Sequence, residues 1–286
     1  MVVGRIRELW RYPVKSMGGE KHERLAIGPR GIPGDRGWAI RDERAGEIRG
    51  AKKLPALLGC SAAYLSEPTA DSVPPAEIRF PDGTRLRTDA PDVAARLSSL
   101  VDRPVTLWPL QPQTALDHYR RAAPDDPDIL AEMRAIFGRL ESEPLPDLSV
   151  FPAEIMEYTS PLGTYFDAFP LHLLTTASLA TLQARTPAAR FDVRRFRPNV
   201  VVETAAGTTG LPEADWAGKM LVAGSTRIRV EIPCVRCVMT TVAQGDLPKD
   251  PSVLRTIVRD GAQNLGVYAT VAAPGILKVG DEVHVE

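Results

Sequence analysis

Apolar and polar residues alternate along this chain in short runs that glycine and proline interrupt every few positions. Alternation of that kind marks half-buried strands, because successive side chains point to opposite faces of a sheet. Val3, Ile6 and Leu9 give residues 2–15 this character, and the run ends at Tyr12-Pro13. Leu25-Ala26-Ile27-Gly28 and Trp38-Ala39-Ile40 are shorter strands on either side of the turn Gly31-Ile32-Pro33-Gly34-Asp35-Arg36. Glu77-Ile78-Arg79-Phe80 and Arg85-Leu86-Arg87 flank Pro81-Asp82-Gly83-Thr84, which predicts a hairpin. Val93, Leu97, Leu100 and Val101 predict a short helix over 92–101, and a strand follows over Arg103–Trp108. Residues 41–115 therefore read as a module of their own, with no catalytic constellation in it.

The period changes at Pro127–Leu140, where Ile129, Leu130, Met133, Ile136, Phe137 and Leu140 form a 3.6-residue stripe with acids in the first turns. That is an amphipathic helix, and packing against a sheet accounts for its stripe. Residues 141–147, with two prolines, form a connector. Strand signals then resume. Phe169–Leu174 is a buried strand, and Thr175-Thr176-Ala177-Ser178 caps the helix after it. Asp250–Asp260 is a second core-facing helix, and 266–271, 276–279 and 282–285 are closing strands.

The stretch that these elements surround is Ile232-Pro233-Cys234-Val235-Arg236-Cys237-Val238-Met239-Thr240-Thr241-Val242. Arg227–Ile232 alternates as a strand, and Pro233 should end its ladder for want of an N–H. Two thiols around an arginine follow, and the apolar run from Val238 should return as a strand to the core. Cys-x-x-Cys is half of a zinc site, but Cys60 is the one further cysteine, and His22, His118, His172 and His284 show no ligand spacing. A thioredoxin-like dithiol wants a helix start, whereas both flanks here read as strands. A pair of buried small hydrophobes is the plainest alternative. Against it stands Arg236, which would favour a nearby thiolate or bind an anion.

Length changes the picture to about two domains of ~150 residues. With 44% hydrophobic and 25% charged residues, a sizeable core can form. The formal charge of −1 gives no reason to expect nucleic acid or a membrane surface as partner. No apolar run approaches the ~18 residues of a membrane span, and the start lacks a signal-peptide pattern. Three cysteines make no disulfide framework, so a reducing cytoplasm is expected. The 26 prolines and 22 glycines imply many turns, which favours short strands over long helices.

Several side chains invite a chemical reading. Lys15-Ser16 opens a loop, and as a bare pair it is a solvated surface feature. Arg36 sits in a glycine-punctuated turn, where it can bind a phosphate with two parallel bonds or pair with Asp35. Pro198 should hold Arg197 extended, so that Arg197 and Asn199 project the same way at period two. That pair suits a ligand with a phosphate and an amide-bearing ring, or else bridges two loops. Asp167 stands before a strand and could cap a turn, and His172 among leucines reads as a core histidine rather than a ligand.

Cys234-Val235-Arg236-Cys237-Val238-Met239-Thr240-Thr241-Val242 resembles the cysteine motif of the MOSC family, named for the molybdenum cofactor sulfurase C-terminal domain. The similarity is to the branch that contains the mitochondrial amidoxime-reducing components and related bacterial proteins. Tyr12-Pro13-Val14-Lys15-Ser16, Gly34-Asp35-Arg36-Gly37-Trp38, Phe196-Arg197-Pro198-Asn199-Val200 and Ile276-Leu277-Lys278-Val279-Gly280-Asp281 recur there in the same order. The resemblance implies a mainly β fold with some α (α+β). Its parts would be a MOSC N-terminal-type β-rich domain over 1–118, a helix and linker over 119–150, and a β-barrel-like MOSC domain over 151–286, with segment 1–37 packed on the barrel.

It also implies a molybdenum cofactor, molybdopterin, whose metal takes one protein thiolate, here Cys237. Soft, deprotonated sulfur is what such a site needs. Lys15, Ser16, Arg36, Arg197, Asn199 and Arg236 would contact the cofactor, with Asp167 an acidic position beside it. Molybdopterin has the phosphate and the ring that Arg197 and Asn199 suit. Cys234 would lie behind the ligand or merely pack. Val235 departs from the small polar residue that the reductases often carry, so a hydrogen bond there is lost. The implied activity is reduction of N-hydroxylated substrates, amidoximes or hydroxylamines. No Cys-x4-Cys-x2-Cys pattern is present, so electrons would come from a separate protein of ferredoxin, flavodoxin or cytochrome type. Two alternatives stand beside this. One is a sulfur carrier using a Cys237 persulfide, as in the sulfurase relatives, whose other half uses pyridoxal phosphate; no lysine here has a recognisable Schiff-base context. The other is a cofactor binder without turnover.

Overall fold

β1 (Val2–Arg11) organises the molecule, since one ten-residue strand serves three neighbours. The computed structural model describes residues 1–286. β2 (Glu20–His22) and β3 (Arg24–Ile27) follow β1. A first module then contains β4 (Trp38–Asp42), β5 (Glu47–Ile48), β6 (Ser61–Tyr64), β7 (Ala76–Arg79), β8 (Arg85–Arg87), α1 (Val93–Val101) and β9 (Val105–Pro109). Next come α2 (Leu116–Tyr119), α3 (Ile129–Phe137) and α4 (Glu154–Glu157). The rest is β10 (Leu171–Thr175), α5 (Thr176–Arg185), β11 (Val200–Thr204), β12 (Met220–Ala223), β13 (Thr226–Val235), α6 (Pro251–Asp260), β14 (Asn264–Ala273), β15 (Gly275–Lys278) and β16 (Glu282–Val285).

Seven strands close a barrel in the order β11-β10-β14-β13-β12-β16-β1, and β1 pairs back onto β11. A bulge between Ile6 and Glu8 re-aims β1, so that its first half pairs with β16 and its last residues with β2. β10 and β11 are parallel, with Leu173 opposite Val200, and α5 supplies the crossover. All five positions of β10 are buried, as expected of a strand covered on both faces. Inward-facing Ile6, Leu9, Leu173, Val202, Leu221, Val230 and Val267 fill the barrel, and Leu25 and Ile27 of β3 join that core beside β15.

The first module has its own core of Val14, Met17, Trp38, Ile40, Leu57, Ile78, Phe80 and Leu97, with Cys60 inside it. It lies between the sheets β5-β4-β9 and β6-β7-β8. The expected hairpin is β7–β8, with Ile78 opposite Leu86. The fold is mainly β with six α-helices, as the alternation and the turn-rich composition predict. No helix is long and apolar enough to cross a membrane.

Three local expectations fail. Pro233 does not end the ladder: β13 continues to Val235, with register shifts at Val230/Ile232 and at Pro233/Val235. A proline is tolerated where a bulge already interrupts the pairing. Val238–Thr241 is a 3-10 turn rather than a strand. Its hydroxyls bond local carbonyls, Thr240 Oγ1 to Cys237 O at 3.0 Å and Thr241 Oγ1 to Val238 O at 2.8 Å. The buried guanidinium of Arg195 fixes the turn by donating to the carbonyls of Thr240, Val242 and Pro248. Lastly, α3 stops at Phe137 because Gly138 adopts φ +61°, while Asp128 caps its start through the Leu130 and Ala131 N–H groups. Its stripe is not sheet-packed: Ile129 and Leu130 stay more than 60% exposed, and Met133 and Ile136 are half-buried.

Candidate functional site: a cationic cavity beside Cys237

β13 and its 3-10 turn deliver Cys237 to a cavity of about 440 Å³ between the barrel, the first module and the segment holding α3. Lys15, Ser16, Arg36, Asp167, Arg197, Asn199, Arg236 and Cys237 all line it. The two thiols of the motif differ sharply. Cys234 is 1% exposed, and its Sγ accepts from Arg236 Nη1 at 2.8 Å. Burial pushes the Cys234 thiol up, and the Arg236 charge opposes this. Cys237 is half-buried and borders the cavity.

Arg236 is therefore engaged with the inner cysteine. Its Nη2 donates to Phe196 O at 2.9 Å, Nη1 also lies 3.4 Å from His172 Nε2, and Nε is buried with no partner. His172, held by Leu265 O at 3.4 Å, is kept neutral, because burial and then the Arg236 charge pull it well below the usual imidazole range. Gly266 makes this approach possible, since a Cβ there would collide with the imidazole.

The second arginine corrects the sequence expectation. Arg197 is not extended but has φ +55°, in the left-handed region that non-glycine residues seldom adopt. Its N–H bonds Val193 O at 3.2 Å, closing the 3-10 turn before it, and its Nη1 donates to Met17 O. Its guanidinium carbon sits 4.2 Å from the Tyr12 ring centre, and that of Arg36 4.7 Å from the same ring. Two cations on one ring raise each other's cost. Burial, with Arg36 adding to it, pulls Arg197 down to about 10. Arg197 Nη2 is buried without a partner.

Asn199 does not project beside Arg197. Its Nδ2 donates to Trp10 O at 3.3 Å and to Asp35 Oδ2 at 3.0 Å, while Oδ1 accepts from His172 N at 3.1 Å and Arg36 Nη1 at 3.4 Å. That uses the full capacity of a carboxamide, so Asn199 positions Arg36 and has no hydrogen bond left for a ligand. Asp35, seen in the sequence only as a possible pair for Arg36, is the hub: its buried carboxylate takes Tyr12 N at 2.8 Å, Asn199 Nδ2 and Arg36 Nη1.

Elsewhere in the lining Lys15 Nζ donates to Tyr165 O at 2.7 Å and to Asp167 Oδ1 at 2.9 Å. Burial pulls Lys15 down and Asp167 opposes it. For Asp167, burial favours the neutral acid, but Lys15 and Lys52 outweigh it and hold the carboxyl far below the usual range. Asp167 is thus an ion-pair partner, not a turn cap. Ser16, at φ +70°, accepts the Ala51 N–H at 2.9 Å and pins the loop 49–53 against the cavity. Gly50 leaves the room, since a Cβ there would lie 2.6 Å from Ser16 Oγ.

That loop brings in Lys52, which sequence reasoning missed by finding no constellation in residues 41–115. Its neighbour Lys53 pairs with Asp125 at 3.0 Å and with Glu132, whereas Lys52 makes no ion pair. Burial works against its charge, yet Asp167 and then Cys237 hold its ammonium above the ordinary value. The available signal was two adjacent lysines after Gly50-Ala51.

Arg197 Nη2 and Arg236 Nε are buried guanidinium nitrogens without protein acceptors on side chains that line the cavity, and Lys52 lines it with no ion pair. Leaving such donors unpaired costs free energy, which a bound anion with several oxygens would recover. The residues therefore fit a phosphate-bearing cofactor with a metal bound by Cys237.

Two family models match this chain: the MOSC N-terminal beta barrel domain over residues 3–113 and the MOSC domain over 163–284. Together they span most of the chain, and it belongs to the MOSC family. The chain is 27% identical to mitochondrial amidoxime reducing component 2 of Bos taurus, across 99% of this chain and 83% of that protein. It is 34% identical to mitochondrial amidoxime-reducing component 1 of Xenopus laevis over 42% of this chain and 37% of the other. Molybdenum cofactor sulfurase 3 of Aedes aegypti is 38% identical over 32% of this chain, but over only 11% of the sulfurase. The relatives tie the family to molybdenum cofactor chemistry.

Proposed function

We propose that this chain binds the molybdenum cofactor through Cys237 and reduces N-hydroxylated compounds with electrons from a separate donor protein. The observation that carries the reading is the division of labour in the motif: Arg236 seals Cys234 away, while Cys237 stands at a cavity lined by Lys52, Arg36, Arg197 and Arg236. When bound, the cofactor supplies two-electron redox chemistry at a metal held by the Cys237 thiolate. Lys52, Arg197 and Arg236 hold its anionic groups, and Asp35 and Asn199 keep Arg36 aimed at them. Asp167, ionised by Lys15 and Lys52, accepts a hydrogen bond from the N–H or O–H of a substrate and orients it. The overall change breaks one N–O bond: an N–OH group, two electrons and two protons give an N–H group and one water. The electrons come from the donor protein, of ferredoxin, flavodoxin or cytochrome type.

The test is molybdenum and pterin content after expression in a host that makes molybdopterin, with benzamidoxime reduction under an artificial donor. Cys237→Ala is expected to lose the metal and Cys234→Ala to retain it. Retention of metal in Cys237→Ala would overturn the assignment. Metal-free protein with a cyanide-labile sulfur on Cys237 would favour sulfur transfer instead, and metal without turnover a carrier.

A further inference from the structure

Residues 114–162 lie between the two family models, matched by neither, yet they build one whole side of the cavity. The cationic donors described above come from the barrel and the first module. What this segment contributes is chiefly apolar: Ile129, Met133, Ile136, Phe137, Phe151 and Ile155 all line the same cavity. Its charged members there are already engaged. Arg121 donates to the carbonyls of Ile155 and Tyr158, and Glu132 pairs with Lys53. Phe151 continues into an aromatic wall of the barrel, 6.3 Å from Tyr268, which in turn lies 5.4 Å from Phe169.

α3 and the turn after it are fastened to both domains. Lys53 of the first module holds Glu132, and Arg255 of α6 bonds Glu143 and Gly138 O. Arg139 donates to Gln263 Oε1 at 2.9 Å and to the carbonyl of Arg236 at 3.0 Å, inside the cysteine motif itself. An apolar wall anchored this firmly is a preformed surface, so covering it with ligand needs little reordering of the protein. The rim is apolar too, with Ile129 and Met156 lining the cavity while more than 60% exposed.

We propose that residues 129–155 form an apolar substrate subsite, and that the N-hydroxylated substrates of this chain carry an alkyl or aryl body which that wall covers. This rests on the reductase reading for the reacting group but not for the apolar body. A cavity that is cationic on one wall and apolar on another selects a molecule with a compact polar head and a hydrophobic remainder.

The experiment measures binding without turnover. Neutral n-alkyl amidoximes, from acetamidoxime to octanamidoxime, are titrated calorimetrically into the oxidised holoprotein with no electron donor. Affinity should rise about fourfold per methylene over the first several carbons, the increment for burying one CH2. The paired substitutions Met133→Gln and Ile136→Gln, at half-buried positions, should flatten that dependence to under about twofold per methylene while bound molybdenum stays stoichiometric. A wild-type affinity independent of chain length, or a dependence untouched by the pair, overturns the proposal. Steep chain-length dependence without reduction of any amidoxime, once a donor is added, would leave the subsite standing and remove the reductase reading.

Discussion

Asp35 is the residue on which the cavity's geometry should depend most, though it donates nothing to a ligand. Its carboxylate receives the Tyr12 N–H, the Asn199 carboxamide and the Arg36 guanidinium, from the end of β1, the entry to β11 and its own turn. Truncation in Asp35→Ala strands the Tyr12 N–H outright and leaves Asn199 Nδ2 with Trp10 O and Arg36 Nη1 with Asn199 Oδ1, both at longer range. Both the Tyr12 N–H and Asn199 Nδ2 make these bonds in a buried environment. Arg36 borders the cavity and keeps about 15% of its side chain exposed, so it can be partly solvated. Removing one partner of a buried charge pair costs about 3–5 kcal/mol, and the exposure of Arg36 places this case near the lower end, at about 3 kcal/mol. Asp35→Asn retains an acceptor for Tyr12 N–H but presents an NH2 to a donor, at a cost of about 2 kcal/mol. Urea unfolding of the cofactor-free protein reads this as a lower midpoint at unchanged slope. In the holoprotein, Arg36 loses its aim and molybdenum retention on dialysis should fall as well. An Asp35→Ala midpoint within about 1 kcal/mol of the wild type, at equal slope, would refute the role of this carboxylate as the hub.

Two further outcomes follow from the electrostatics. Lys52→Met removes a cation that makes no ion pair but that Asp167 holds charged, so the cofactor-free protein should melt only slightly lower than wild type, while cofactor retention in rising salt falls roughly tenfold, the loss of one charge-assisted bond. Asp167 is held ionised in the fold, so its stabilisation is complete above the unfolded carboxyl value of about 4 and is lost as pH falls further. Urea midpoints at pH 5 and pH 3 should therefore drop more steeply in wild type than in Asp167→Asn; parallel slopes would count against the Lys15–Asp167 pair.

Much of this molecule was legible because it is local. Alternation located β1, β3 and β4, Asp82-Gly83 announced the β7–β8 hairpin, and a 3.6-residue stripe announced α3. Where local reading failed, a tertiary contact had decided. Pro233 sits within β13 because a bulge receives it, and Arg197 turns left-handed because Val193, Met17 and the Tyr12 ring hold it there. The stripe of α3 faces a cavity and solvent rather than a sheet, since periodicity fixes which residues share a face and not what lies opposite.

By itself, then, the sequence determined many of the strands and the longer helices, the predominantly β character, and the set of motifs that mark the MOSC family. Only the folded chain decided that β1 closes a barrel made mostly from the other end of the polypeptide, that Arg236 attends Cys234 and leaves Cys237 at the cavity, and that Lys52 belongs to the site. The reason is separation along the chain. Lys15 meets Asp167 across 152 positions and Asp35 meets Asn199 across 164. Propensity and periodicity act over a few residues, whereas pairing, burial and the field at a cavity are set by neighbours that only closure of the barrel brings together.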